Sequence, residues 1–553
     1  MDKTLISAGI QPDKILVSSC ASRALDEEAQ ADWGFNVFAL VEAAGRLCSQ
    51  QLIKAFPGLF GAGSGGRPRV TVAAGTGNNG ADAMVMLRHW IITGLVEPAS
   101  STVVLNRMPP ASRNNSPHAA LIKSFRKMNV PVVLWDGDIG EAAGRLADHV
   151  LAQSDIIVDG IVGTGLDGAI RGTPLEMLQA INSHDKPFIV SIDIPSGNSD
   201  NWEPGMPIIQ ADLTLAIEPR KLCLYSPAAR PYAGIIIPVD GVFPNAIITR
   251  HMEAELLDWN SARERVLKIR PDAYKNKRGT VEIRAGSPGT TGAALIAARG
   301  AQAAGAGLIR LVVDDDIYPI LASQVGGILV FPAGISGTDD SANFNADAIL
   351  LGPGWGKTQN RLPVFEQALE LENKGVPLIL DAEAIELARD KVFNGNAILT
   401  PHPGELSKFL GVQKEKLLCN PGPMLLKLAR ERKAVIIFKG HVITVASPDG
   451  RLGVVDGMRA VLAAGGSGDL LAGLCAAIAA RMIQEERPFD GYTCAAVASA
   501  LFIELGNPER FENRFTDPLE LANRAAVLAG EIWLSADLPG FWRNPGNIEG
   551  PLS

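Results

Sequence analysis

The chain is 553 residues long, more than one ordinary hydrophobic core holds, so roughly two to four domains are expected. Apolar residues make up 47% and charged residues 20%, the balance of a globular chain, and a net charge of -9 argues against a general nucleic-acid binder while leaving anionic small molecules open. Cys20, Cys48, Cys223, Cys419, Cys475 and Cys494 show no Cys-x-x-Cys spacing, which argues against a zinc site and a disulfide framework. No apolar run reaches the roughly 18 residues of a membrane span, and the first residues lack the apolar core of a signal peptide; a cytoplasmic address is expected.

In chain order, a helical stretch is expected over 24–54, with Leu25, Phe38, Leu40, Val41 and Leu47 on one face. Short β-rich runs follow at 70–74, 102–105, 130–134, 156–158, 188–192, 213–216 and 235–238, with helices between several of them, as at 81–92 and 119–127. Over 243–271 the pattern turns charged and helical, which predicts a linker. A second series of strands runs at 280–284, 308–313, 348–351, 377–380, 397–399, 434–438 and 442–446, with helices at 292–304 and 469–482. Apolar strands alternating with helices predict two α/β domains, each with a parallel sheet covered on both faces. The 57 glycines and the low aromatic content of 6% suit close helix–sheet layers and loops that approach phosphates.

Three loops of the first series carry candidate chemistry. The run at 70–74 leads into Gly75-Thr76-Gly77-Asn78-Asn79-Gly80-Ala81-Asp82, a glycine-rich turn before a helix, which offers backbone N–H groups to an anion. Asp159 stands near the end of the next run, before Gly160-Ile161-Val162-Gly163-Thr164-Gly165, and Asp193 ends another, before Ile194-Pro195-Ser196-Gly197. Ligands of open α/β sheets bind beyond the carboxyl ends of the strands, so the three loops converge on one edge.

The second series holds Ala463-Ala464-Gly465-Gly466-Ser467-Gly468-Asp469 at the start of an Ala-rich helix. Consecutive N–H groups and the helix dipole there suit a transferring phosphoryl group, and Asp469 is placed to take a proton from an attacking hydroxyl or, alternatively, to cap the helix. Lys439-Gly440 closes a buried strand, and His402 stands between Pro401 and Pro403 with Glu405 able to cap the next helix. Gly352-Pro353-Gly354, Asp381 and the small residues Gly286-Ser287 with Gly292-Ala293-Ala294 end on the same edge.

Ala39-Leu40-Val41-Glu42-Ala43-Ala44-Gly45-Arg46, the Asn78-Asn79 loop, Gly163-Thr164-Gly165-Leu166 and Asp193-Ile194-Pro195-Ser196-Gly197 resemble the bifunctional NAD(P)H-hydrate repair enzymes, as does most of 270–480 around Gly465–Asp469. The resemblance implies a Rossmann-like three-layer epimerase domain over 1–248 and a ribokinase-like dehydratase domain over 249–553. It implies that Asn78, Asn79, Gly80, Ala81, Asp82, Gly163, Thr164, Gly165, Leu166, Asp167, Gly168 and Ala169 contact the dinucleotide, with Asp193 as acid/base at the nicotinamide end. A potassium ion would be held near Asn79, Asp159 and Ser196. In the second domain it implies Asp469 as base, Lys439, Gly440, His441, Val442, Ile443 and Gly468 at the nucleotide, and Ala294, Gly354 and His402 at the hydrated cofactor. The substrates implied are NADHX and NADPHX with ADP or ATP and Mg2+, in a homo-oligomer with no nucleic-acid or membrane partner. The chain departs from the family at Gly80-Ala81-Asp82-Ala83, where glycines are usual; a methyl at Ala81 is expected to block a positive φ or crowd a phosphate. Further departures are Ile443 for threonine, Tyr274-Lys275 for a His-Lys pair, Ala464 for threonine, and Phe502-Ile503-Glu504-Leu505 for a segment with His-Gly. Two other readings stay open at this stage: a ribokinase-like small-molecule kinase, and a dehydratase whose first domain is a degenerate binding module.

Overall fold

The computed structural model describes residues 10–61, 67–109, 116–135, 141–185, 187–334, 345–356, 360–485 and 487–534. The chain divides into two compact units, Met1–Leu256 with Glu415–Pro421, and Leu257–Lys414 with Gly422–Ser553.

The first unit is built on a seven-stranded sheet in the spatial order Val132–Leu134, Ser101–Leu105, Val70–Ala74, Ile156–Gly160, Phe188–Ile192, Leu213–Ile217, Ile235–Val239. Every pairing in it is parallel. Both faces are covered, as the continuous apolar runs require. Val70, Val72 and Ala74 face the helices Val37–Ala55 and Asn78–Ile92, while the alternate residue Ala73 packs with Ile157, Leu151, Met177 and Ile181 on the other side. Gly45 lets the two helices close on each other: a Cβ there would lie 2.6 Å from the Asp82 carbonyl oxygen.

Two expectations are corrected here. The helix over 24–54 is two helices, Ser19–Ala31 and Val37–Ala55. Gly34 takes φ +71 between them, and Asn36 starts the second by accepting from the Phe38 N–H at 2.8 Å. Leu25 therefore packs with Ile15, Val17, Ile247 and Ile248 rather than with Leu40 and Val41, and Phe38 is exposed. The stretch 243–271 is more than a linker. Ala254–Leu256 is a strand antiparallel to Ile15–Val17, and Leu257, Trp259, Ala262 and Val266 belong to the second core. Asp258 caps the helix Trp259–Arg263 through a reciprocal box with Ser261.

The second unit orders its strands Leu329–Pro332, Leu308–Val313, Thr280–Arg284, Ala348–Leu351, Leu378–Leu380, Ala397–Leu399, Ala434–Phe438, Val442–Ala446, Leu452–Asp456. The pairings are parallel as far as Ala434–Phe438 and antiparallel beyond it. Leu329–Pro332 and Leu452–Asp456 are strands that the sequence pattern did not suggest. Helices Thr291–Ala303 and Ser467–Ile483 lie almost backbone to backbone, since a Cβ on Gly473 would fall 2.1 Å from the Ala297 carbonyl oxygen. That approach is what the Gly- and Ala-rich composition provides. Among the described residues no helix is long and apolar enough to cross a membrane.

Candidate active sites

In the first unit the turn after Val70–Ala74 accepts only glycine at two places. A Cβ on Gly75 would meet the Ile161 carbonyl oxygen at 1.9 Å, and one on Gly80 would meet the Gly75 carbonyl oxygen at 2.3 Å. The helix Asn78–Ile92 begins at once, with Gly77 as its N-cap and no side chain supplying the cap bond, so its first N–H groups are left for an anion. Ala81 and Ala83 have helical backbone and are wholly buried in the core. The expected clash of the Ala81 methyl with a positive φ or a phosphate is thereby overturned, because the helix starts three residues earlier and turns that methyl inward.

Asp159 is fully buried and ties two loops together. It accepts from Ser191 Oγ at 2.7 Å, the Ser196 N–H at 2.9 Å, Ser196 Oγ at 2.5 Å and the Ile161 N–H at 3.2 Å. Burial raises its pKa and these four donors oppose the rise. Both polar atoms of the Asn79 side chain are buried without a protein partner, and the side chain packs over Gly163, where a Cβ would lie 3.2 Å from its own. An orphaned, buried amide oxygen is a donor of the kind a hard monovalent cation takes. The loop from Gly163 to Ala169 is partly open, and its Thr164 carbonyl accepts from Arg23.

Asp193 follows Phe188–Ile192 with φ +65, a conformation strained for a non-glycine residue. Its Oδ1 accepts from Lys221 Nζ at 2.7 Å. Burial pushes Asp26 up to about 6 and Asp82 well above the usual carboxylate range, with Asp193 adding to both. Lys221 and Asp26 were not singled out from the sequence. Lys221 lies just past the strand Leu213–Ile217, so the rule of strand carboxyl ends was the signal that reached it.

In the second unit the helix Ser467–Ile483 is capped by Gly466 at φ +92, so Asp469 stands inside the first turn and is not the N-cap. Its pKa rises to about 7, first through burial, then through repulsion by Asp381, with Lys439 opposing. Lys439, at the end of Ala434–Phe438, is ion-paired with the buried Asp381. Burial alone would lower the Lys439 pKa, but Asp381 and Glu405 outweigh it and the net direction is upward. A Cβ on Gly468 would lie 3.2 Å from Lys439 Nζ. The ammonium and the positive end of a helix dipole therefore sit together, which favours an anion between them.

The remaining expected residues fall into open and buried groups. Gly440 and His441 are exposed, whereas the side chains of Val442 and Ile443 are buried, Ile443 in the main core. Gly354, at φ +63, is held by Thr290 Oγ1 donating to its carbonyl at 2.6 Å. Ala294 is buried behind Gly286. His402 is itself the helix cap: its Nδ1 accepts from the Gly404 N–H at 3.0 Å, and Glu405 accepts from the His402 N–H at 2.8 Å. Burial and then Lys439 hold the His402 pKa below its ordinary value. Among the described residues no three His, Cys, Asp or Glu side chains converge as a metal-holding group.

A family profile described as NAD(P)H-hydrate dehydratase matches residues 281–510, and one described as YjeF-related protein N-terminus matches residues 37–223. The bifunctional NAD(P)H-hydrate repair enzyme Nnr of Moorella thermoacetica is 30% identical over 84% of this chain and 88% of its own. Its namesake from Escherichia coli K12 is 28% identical over 86% of each chain. Among solved structures, an ADP/ATP-dependent NAD(P)H-hydrate dehydratase from Bacillus subtilis, co-crystallised with ATP/Mg2+, aligns at a TM-score of 0.44 and 23% identity, covering 50% of this chain and 99% of that one.

Proposed function

The chain belongs to the bifunctional NAD(P)H-hydrate repair enzymes, and from that premise we propose how its two units divide the work. The first, built on Met1–Leu256, interconverts the R and S hydrates of NADH and NADPH. The second, Leu257–Lys414 with Gly422–Ser553, returns the S hydrate to the reduced cofactor at the cost of ADP or ATP. Both are small-molecule reactions of the cytoplasm.

The observation that carries the dehydratase reading is the grouping of Asp469, Lys439 and Asp381 at one helix N-terminus. Hydroxide is a poor leaving group and phosphate a good one. Asp469 takes the proton of the ring hydroxyl as that oxygen attacks the terminal phosphoryl group. The N–H groups of Gly466 and Gly468 and the Lys439 ammonium hold the phosphate charge as it shifts. Phosphate then departs with the C–O bonding pair, the adjacent ring carbon gives up a proton to solvent, and the ring double bond is restored. Gly440 and His441 border the nucleotide, with Val442 and Ile443 contributing backbone. Gly354 and His402 border the hydrated ring, and Ala294 supports that wall from behind. Magnesium, bound with the nucleotide, neutralises phosphate charge.

For the epimerase, Asp193 moves protons at the ring, and the N–H groups of Asn78 and Asn79 at the helix start face the pyrophosphate. Asn79 supplies the open oxygen for potassium, which Asp159 and Ser196 back; bound there, the ion offsets phosphate charge. Helical Ala81 and Ala83 remove the reason for regarding this unit as degenerate. The test is to give the purified protein mixed R/S NADPH hydrate with ADP or ATP and follow the return of reduced-nicotinamide absorbance. Conversion supports the reading; its absence with both nucleotides contradicts it.

A further inference from the structure

Three aspartates and one lysine share the interior edge of the first unit, and the epimerase chemistry above uses one of them. Arg220–Lys221 pairs with Ile15–Val17, which buries Lys221 to 3% exposure and aims its ammonium at Asp193 Oδ1, 2.7 Å away, and at the Ile217 carbonyl, 3.0 Å away. The helix Ser19–Ala31 brings in Asp26 and the helix Asn78–Ile92 brings in Asp82. Both lie within electrostatic reach of Lys221 and Asp193. Cys48 on Val37–Ala55 and Cys223 beyond Lys221 also face the group, but burial pushes both thiols up, so they add no charge. Two further carboxylates border the group, Glu27 beside Asp26 and Asp200 beside Cys223.

One ammonium does not balance three carboxylates withdrawn from water. The close ion pair puts a negative charge on Asp193. Asp82 is 7% exposed, and its Oδ1 is buried with no donor, so burial and the nearby Asp193 and Asp26 outweigh the opposing pull of Lys221. We propose that Lys221, by being committed to Asp193, leaves Asp82 as a neutral carboxylic acid, so that the pocket holds a proton donor and a proton acceptor side by side. Lys221 is then a positioning residue and Asp82 the second acid/base group. The inference rests on the epimerase reading of this unit.

Such a pair suits the reaction. The epimerised carbon carries a hydroxyl and the ring nitrogen. Its C–O bond breaks as the nitrogen lone pair forms a C=N bond, and the oxygen leaves as water with the proton of Asp82. Water then adds to the other face, the C=N electrons return to nitrogen, and the surplus proton passes to Asp193. Exchange with solvent returns a proton to Asp82 and removes one from Asp193. No net proton, electron or oxygen is consumed.

The experiment uses the full chain, mixed R/S NADPH hydrate, and Asp82→Asn, Lys221→Met and Lys221→Arg. The difference between the isotope-edited infrared spectra of wild type and Asp82→Asn at pH 7 should contain a buried protonated-carboxyl band, because the amide keeps the shape and neutrality of the acid and every other carboxyl cancels. Epimerisation by Asp82→Asn should fall by about 100-fold or more. In Lys221→Met the acid limb of the epimerase kcat/KM profile should move up by about 1–3 pH units, and in Lys221→Arg it should stay near wild type. The inference is overturned if the difference spectrum lacks that band, if Asp82→Asn epimerises normally, or if the methionine variant keeps the wild-type profile. If Lys221→Met does not fold, Asp82→Asn and the arginine variant decide the matter. A wild type that shows the Asp82 band but no epimerisation sinks the epimerase reading and leaves the charge assignment standing.

Discussion

The ammonium of Lys439 is committed to Asp381, whose Oδ1 also accepts from Thr400 Oγ1 at 2.6 Å. The pair leaves Asp469 in a buried place beside a carboxylate, with only partial relief from the lysine, and its pKa rises to about 7. A base of that strength is matched to proton abstraction at neutral pH.

Replacing Asp469 with asparagine should remove dehydration while nucleotide still binds, because only the proton acceptor is lost. The expected fall in kcat is about 10² to 10⁴, with the nucleotide Kd, read by calorimetry, nearly unchanged. Near-normal turnover would show that Asp469 does no more than favour the helix end.

The pH profile of the dehydratase follows from the same group. A raised carboxyl pKa means the basic form appears only as pH climbs through about 7, so kcat/KM should rise across that region and level off above it. Lys439→Met removes the ammonium that lowers this pKa, so the limb should move to higher pH. A flat profile between pH 6 and 8, on either enzyme, would contradict the assignment of Asp469 as base.

Ala81→Gly should not speed epimerisation, since the Ala81 methyl is buried in the helix core. It should instead lower stability by about 1 kcal/mol for a glycine in a helix, and somewhat more for the lost packing. Thermal unfolding with parallel epimerase rates checks this. A faster variant would restore the idea that this methyl crowds the phosphate.

Gly473→Ala should be strongly destabilising, because its Cβ would fall 2.1 Å from the Ala297 carbonyl oxygen and neither backbone can yield cheaply. A loss of about 1–3 kcal/mol or more is expected from overpacking. Ser467–Ile483 carries Asp469, so dehydratase activity should drop along with the melting temperature.

The parallel strands of both units were legible because strands buried on both faces read as unbroken apolar runs, as in Val70–Ala74 and Ala434–Phe438. Glycine-rich turns after them marked the edge where Asp159, Asp193 and Asp469 stand. What the pattern hid depends on partners distant in sequence. Arg220–Lys221 is a two-residue charged strand that exists only because Ile15–Val17 pairs with it, so Lys221 gave no local sign of burial. Leu452–Asp456 contains a glycine and is an antiparallel partner of Val442–Ala446, outside the βα rhythm. The break at Gly34 was masked by apolar residues on both sides that fit one helical period, although Leu25 and Leu40 go to different cores. His402 read as a ligand contact, and its capping role needed the positions of the Gly404 and Glu405 N–H groups.

The central claim is that both halves of the repair run in this one chain, and the most direct test is the end point of a single reaction. Mixed R/S NADPH hydrate is incubated with the protein and excess ADP or ATP, and the recovered NADPH absorbance is compared with the starting S fraction. The account predicts recovery well beyond the S fraction, at a rate faster than spontaneous epimerisation, with Asp193→Ala returning the plateau to that fraction. A wild-type reaction that stalls at the S fraction, or that never begins with either nucleotide, would contradict it.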